Sequence, residues 1–154
     1  MRESKVENEY KNGTDELLCE VYRNVTMAKE SLCDVTGKID NKFMMKNVTG
    51  QLGGYAELEE KCERMMKENG VTPKKESAMK RLMAKGGIML NTAVDSSDSH
   101  VAEMIIKGTD MGADTLEKAM HECKAKGCSH EASELCERVL KFERGASDAM
   151  REFT

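Results

Sequence analysis

Residues 15–36 read DELLCEVYRNVTMAKESLCDVT, in which Leu18, Val21, Val25, Ala28, Leu32 and Val35 recur at alternating three- and four-residue steps. Such spacing puts one narrow apolar seam on one side of a helix, the pattern that packs helices nearly parallel in a bundle. Thr14 is placed to cap the first turn, Asp15 and Glu16 face the positive end of the helix dipole, and Gly37 suits a left-handed C-cap after Thr36.

The same pattern recurs along the chain. Near the C-terminus the series is Ala132, Leu135, Val139, Phe142, Ala146, Ala149 and Phe153, with Ser129 as its cap. A helix from about Asp40 to Glu68, stopped by Asn69-Gly70, carries Met45, Val48, Leu52, Tyr55, Glu59, Cys62 and Met66. Pro73 sits where a first helical turn tolerates a missing N–H and opens a shorter helix from about Lys74 to Val94. The capping run Asp95-Ser-Ser-Asp-Ser99 starts another, from about Asp98 to Lys126, ended by Gly127. Residues 1–12 read as a disordered leader and 13–154 as a single helical-bundle domain.

Short joints predict one antiparallel hairpin from the first two long helices and another from the last two. The long connection between the hairpins holds a helix of its own. Two hairpins joined by one crossover give an all-α, ferritin-like four-helix bundle with an additional helix in the crossover.

Composition narrows the classes of function. Aromatics are scarce (no Trp, three Phe, three Tyr) and Met is abundant at 13, so Leu, Met, Val, Ile and Ala must fill the interior. The net charge is −4 and the basic residues are interspersed with acids, which argues against a nucleic-acid partner. No stretch approaches the ~20 apolar residues of a membrane span, and Met1 to Asn12 has no hydrophobic signal region. A cytoplasmic protein is the expectation. Cys19, Cys33, Cys62, Cys123, Cys128 and Cys136 form no C-x-x-C pair and are expected as six free thiols. Asn24-Val-Thr and Asn47-Val-Thr match the glycosylation pattern but lack the secretory signal it requires.

Three segments resemble those of a group of small, uncharacterised bacterial ferritin-like proteins: Ser99-His-Val-Ala-Glu-Met-Ile-Ile-Lys-Gly-Thr-Asp-Met-Gly112, Leu82-Met-Ala-Lys-Gly-Gly-Ile-Met-Leu-Asn91 and Leu140-Lys-Phe-Glu143. The likeness runs from about Asp15 onward and is most specific at Gly108 to Gly112. It implies the five-helix ferritin-like fold and a bacterial origin, and it implies no activity.

A di-iron centre in that fold needs Glu from two helices and Glu-x-x-His from the other two. The chain has no Glu-x-x-His. It has one reversed pair, His100 and Glu103, and the first two long helices contain no His. An interior site would combine Glu59 with His100 and Glu103; the simpler reading rolls the helix so that Leu58 points inward and Glu59 reaches solvent. His121, Cys123, Cys128 and His130 form H-x-C-x4-C-x-H around the last turn, a zinc ligand set by chemistry. Residues two apart on a helix point apart, so an exposed turn with incidental His and Cys is the simpler reading there. No catalytic, cofactor or metal residue is assigned.

Gly108 and Gly112, and Gly50, Gly53 and Gly54, sit inside helices at a cost of ~1 kcal/mol each. Close helix approach would explain the first pair; close approach or a kink would explain the second group. The methionines follow helical spacing and read as core filling. Cys19 and Cys33 share a stripe and read as inert, half-buried thiols. The expectation is a non-enzymatic interaction or structural module, with self-association into a homo-oligomer as one way it would act and a metal-binding protein as the alternative.

Overall fold

The computed structural model describes residues 13–72 and 97–154. Four helices make up the chain there: α1 (Gly13–Thr36), α2 (Lys42–Glu68), α3 (Asp98–Lys126) and α4 (His130–Met150), followed by one 3₁₀ turn (Arg151–Phe153). Among the described residues there is no strand. The expected leader and the expected crossover helix, with Pro73, Met79, Met83 and Met89, lie outside the described residues.

Residue pairs that meet across the helices run in opposite senses. Tyr22 meets Glu63 and Lys29 meets Glu59, so α1 and α2 are antiparallel. Glu16 meets Lys126 and Asn24 meets Gly112, so α1 and α3 are antiparallel. Lys124 meets Glu137, Arg144 meets Glu117 and Arg151 meets Asp110, so α3 and α4 are antiparallel as well. Tyr55 and Phe142 bring α2 against α4. The result is an all-helical bundle.

The apolar seams meet along the axis. Leu18, Val21 and Val25 of α1, Val48 and Met66 of α2, Val101 and Leu116 of α3, and Ala132, Val139 and Met150 of α4 are all 0% exposed. Full burial of a side chain of this size stabilises by roughly 1.5–3 kcal/mol. On α2 the expected Val48, Tyr55, Glu59, Cys62 and Met66 are buried, while nearer its start Met44 and Gln51 are buried where Met45 and Leu52 are only half-buried. Cys33 is exposed and Cys19 buried, so the two are not the half-buried pair expected.

Caps set most of the ends. Asn41 accepts from Phe43 N and Met44 N at 2.8 and 2.9 Å, Ser97 from His100 N, and Ser129 from Ala132 N. Gly70 and Gly127 take positive φ values of 71° and 94° and close α2 and α3. Gly37 does not; the turn after α1 needs no left-handed residue. Thr14 is not a cap for α1. Its hydroxyl accepts from Ser129 N at 2.8 Å and ties the start of α1 to the α3–α4 turn. At the opposite end the Asp98 carboxylate accepts from Asp40 N and Asn41 N, binding the start of α3 to the α1–α2 turn. The end of α2 and the start of α3 therefore lie at opposite ends of the bundle.

Helix α2 is continuous through Gly50, Gly53 and Gly54, so there is no break. Close approach accounts for Gly54, where a Cβ would overlap the Phe142 ring, and for Gly112, where a Cβ would stand 3.0 Å from the Asn24 amide. Gly50, Gly53 and Gly108 face open space, and the structure shows no packing reason for them.

Candidate functional site

Each of the four helices sends a polar group into one layer of the interior. Helix α2 supplies Tyr55 and α4 supplies Glu143, both 1% exposed; the Tyr55 hydroxyl donates to Glu143 Oε2 at 3.0 Å. Helix α1 supplies Asn24, 7% exposed, whose amide donates to the Gly112 carbonyl of α3 at 2.8 Å and also faces the Glu143 carboxyl. Helix α3 adds Thr109, whose side chain faces the Tyr55 hydroxyl. Glu143 Oε1 makes no hydrogen bond.

Burial dominates the electrostatics of this layer. Desolvation raises the Glu143 carboxyl from 4.5 to about 8, against the smaller opposing pull of Tyr55, Asn24 and Arg144. Burial first, and the Glu143 charge second, push the Tyr55 phenol well above its ordinary value. Near neutral pH the pair is thus largely a carboxylic acid beside a phenol. That chemistry donates and accepts hydrogen bonds; it does not present paired carboxylates.

One turn along, the residues expected to form a metal site do something else. Glu59 is 8% exposed and Leu58 5%, so both point inward and Glu59 does not reach solvent. Its carboxylate is held by Lys29 Nζ, and that hydrogen bond in turn raises the Lys29 pKa. His100 lies in the first turn of α3 and Glu103 is exposed; neither meets Glu59. The expected interior trio is not assembled.

At the α3–α4 turn, Cys123 and Cys128 form a disulfide with Cα atoms 5.2 Å apart. The expectation of six free thiols is therefore corrected: this pair is joined, and Cys19, Cys33, Cys62 and Cys136 stay outside the disulfide. Gly127 turns the chain back on itself there, which a search for C-x-x-C does not anticipate. The disulfide removes both thiolates from the H-x-C-x4-C-x-H set, and His121 and His130 stand exposed. Among the described residues no group of three or more His, Cys, Asp or Glu is placed to hold a metal ion. The free thiols of Cys62 and Cys136 are buried, which raises both to about 12, and they lean on the Leu18 and Leu116 carbonyls.

Two signals for the polar layer were present in the sequence and pointed elsewhere. Glu143 follows Phe142, and a seam read by hydrophobicity selects Phe142; the structure buries Glu143 fully and Phe142 only partly. Asn24 belongs to a glycosylation pattern, yet its amide is spent on Gly112 inside the bundle.

Fold and layer together define an all-helical bundle with a polar girdle drawn from all four helices. The chain matches no family model, no curated protein and no solved structure. No helix among the described residues is long and apolar enough to cross a membrane.

Proposed function

We propose that this chain is a ferritin-like, bacterial, cytoplasmic four-helix bundle that acts as a non-enzymatic structural or interaction module. The observation that carries the reading is the state of the interior acids. Glu59 and Glu143 are each engaged by a different protein partner, Lys29 and Tyr55, rather than turned toward one another or toward a His. The polar layer then serves packing. A buried polar pair costs stability against an apolar one and restricts which helix faces can meet.

Supporting the ferritin-like order, α2 ends beside the start of α1 while α3 starts beside the α1–α2 turn, as two hairpins joined by a full-length crossover require. Two of the segments that carry the resemblance, Gly108–Gly112 and Leu140–Glu143, meet at the polar layer. For an interaction role the surface offers Phe43, 77% exposed in the first turn of α2. A large apolar side chain in that position suits self-association or a protein partner.

Light scattering and elemental analysis on one sample, purified without chelator or affinity metal, test the reading. The expected result is a concentration-dependent oligomer, weakened by Phe43→Ser, with no stoichiometric metal. One or two metal ions per chain would overturn it in favour of a metal-binding protein.

A further inference from the structure

We infer that Cys123 and Cys128 are a reversible thiol–disulfide exchange site whose reactive sulfur is Cys128 and whose reactant is a low-molecular-weight thiol or its disulfide. Three observations support this.

The two sulfurs are unequal. Cys123 is 3% exposed, on the last full turn of α3, and faces Gly13 at the start of α1. Cys128 is half-buried and lies beyond the helix end. Cys128 is therefore the more accessible partner for an incoming thiolate. Helix position adds to the asymmetry. Cys128 stands just ahead of the N-terminus of α4, where a thiolate charge is favoured, and Cys123 near the C-terminus of α3, where it is not.

The turn is also held without the bond. Ser129 N–H donates to Thr14, the Ser129 side chain caps α4, and Lys126 pairs with Glu16. Opening the disulfide leaves these in place, so the pair can cycle within a folded protein.

Finally, the remaining thiols of the interior are out of play. Cys19, Cys62 and Cys136 are buried, and of the cysteines outside the disulfide Cys33 is the exposed one.

The exchange balances as two successive displacements. A thiolate attacks Cys128 Sγ, the Cys123–Cys128 bond breaks, and its electron pair leaves on Cys123, which takes up a proton. A second thiolate then attacks the mixed disulfide at the small-molecule sulfur and releases Cys128. Two thiols have become one disulfide, and the protein disulfide has gained two electrons and two protons. Oxidation by the small-molecule disulfide is the reverse.

The test uses the full chain in buffers of reduced and oxidised glutathione, with cysteine states read by alkylation and peptide mass. The expected result is that Cys123 and Cys128 change state together and reversibly while circular dichroism stays helical. In Cys123→Ser, oxidised glutathione should add to Cys128; in Cys128→Ser, Cys123 should stay unmodified. A bond that yields only on unfolding, a pair that never closes under oxidising buffer, or equal modification of the two single variants would overturn the assignment. If a single variant fails to fold, the wild-type titration alone decides.

Discussion

The hydroxyl of Tyr55 on α2 donates to Oε2 of Glu143 on α4 at 3.0 Å, with both side chains 1% exposed. This contact joins helices from the two hairpins, and it places an ionisable group where ionisation is costly. The folded carboxyl titrates at about 8 against 4.5 when exposed, so between these values the folded chain holds a proton that the unfolded chain has lost. The bundle is then most stable at the acid end of that window, loses stability as pH rises through it, and levels off above it. Urea unfolding between those pH values should show a decline of several kcal/mol, and Glu143→Gln should flatten it. A wild-type stability independent of pH across the window would contradict the burial of this acid.

Tyr55→Phe removes the donor and keeps the ring. Glu143 Oε2 then loses its Tyr55 donor, at a cost of about 1–3 kcal/mol. Chemical denaturation measures this directly. An unchanged midpoint would mean that the hydrogen bond contributes nothing to the packing of α2 on α4.

Adjacent glycines should respond in opposite directions. Gly53 faces open space, so Gly53→Ala should gain roughly 0.5–1 kcal/mol from backbone entropy. At Gly54 a Cβ would overlap the Phe142 ring, which stands edge-on to Tyr55 with centroids 4.9 Å apart. Gly54→Ala should therefore lower the melting temperature. Two shifts of the same sign would show that α2 does not press on α4 there.

The Lys29–Glu59 pair is a second long-range clasp, between α1 and α2, with side-chain exposures of 33% and 11%. Lys29→Met leaves a mostly buried carboxylate unpaired and should cost about 1–2 kcal/mol. The double variant Lys29→Met with Glu59→Met should recover much of the loss. Simple additivity in the double-mutant cycle would show that the two groups do not interact.

Much of the helical framework could be read from the chain because its signals are local. Ser97, Ser129, Asn69-Gly70 and Gly127 act within one turn of the ends they set, and the bounds expected for α3, Asp98 to Lys126, are those observed. The polar layer could not be read the same way. Tyr55 and Glu143 are 88 residues apart, as are Asn24 and Gly112, and neither pair leaves a local trace. Glu59 shows the same limit: it falls on the seam, yet the simpler reading turns it to solvent, because its partner Lys29 on another helix leaves no local sign. Thr14 looked like a helix cap because the sequence cannot show that Ser129 would come within reach of its hydroxyl. Where polar groups in a bundle are satisfied by tertiary partners, periodicity identifies the seam and misassigns the residues beside it.

The central claim, that the interior acids are satisfied by Lys29 and Tyr55 and hold no metal pair, is tested most directly by thermal unfolding with and without Mn(II), Fe(II) or Zn(II), for wild type and Glu143→Gln. A metal that binds only the folded state must raise the melting temperature. The account predicts no rise in either protein. A metal-dependent rise in the wild type that Glu143→Gln abolishes would contradict it.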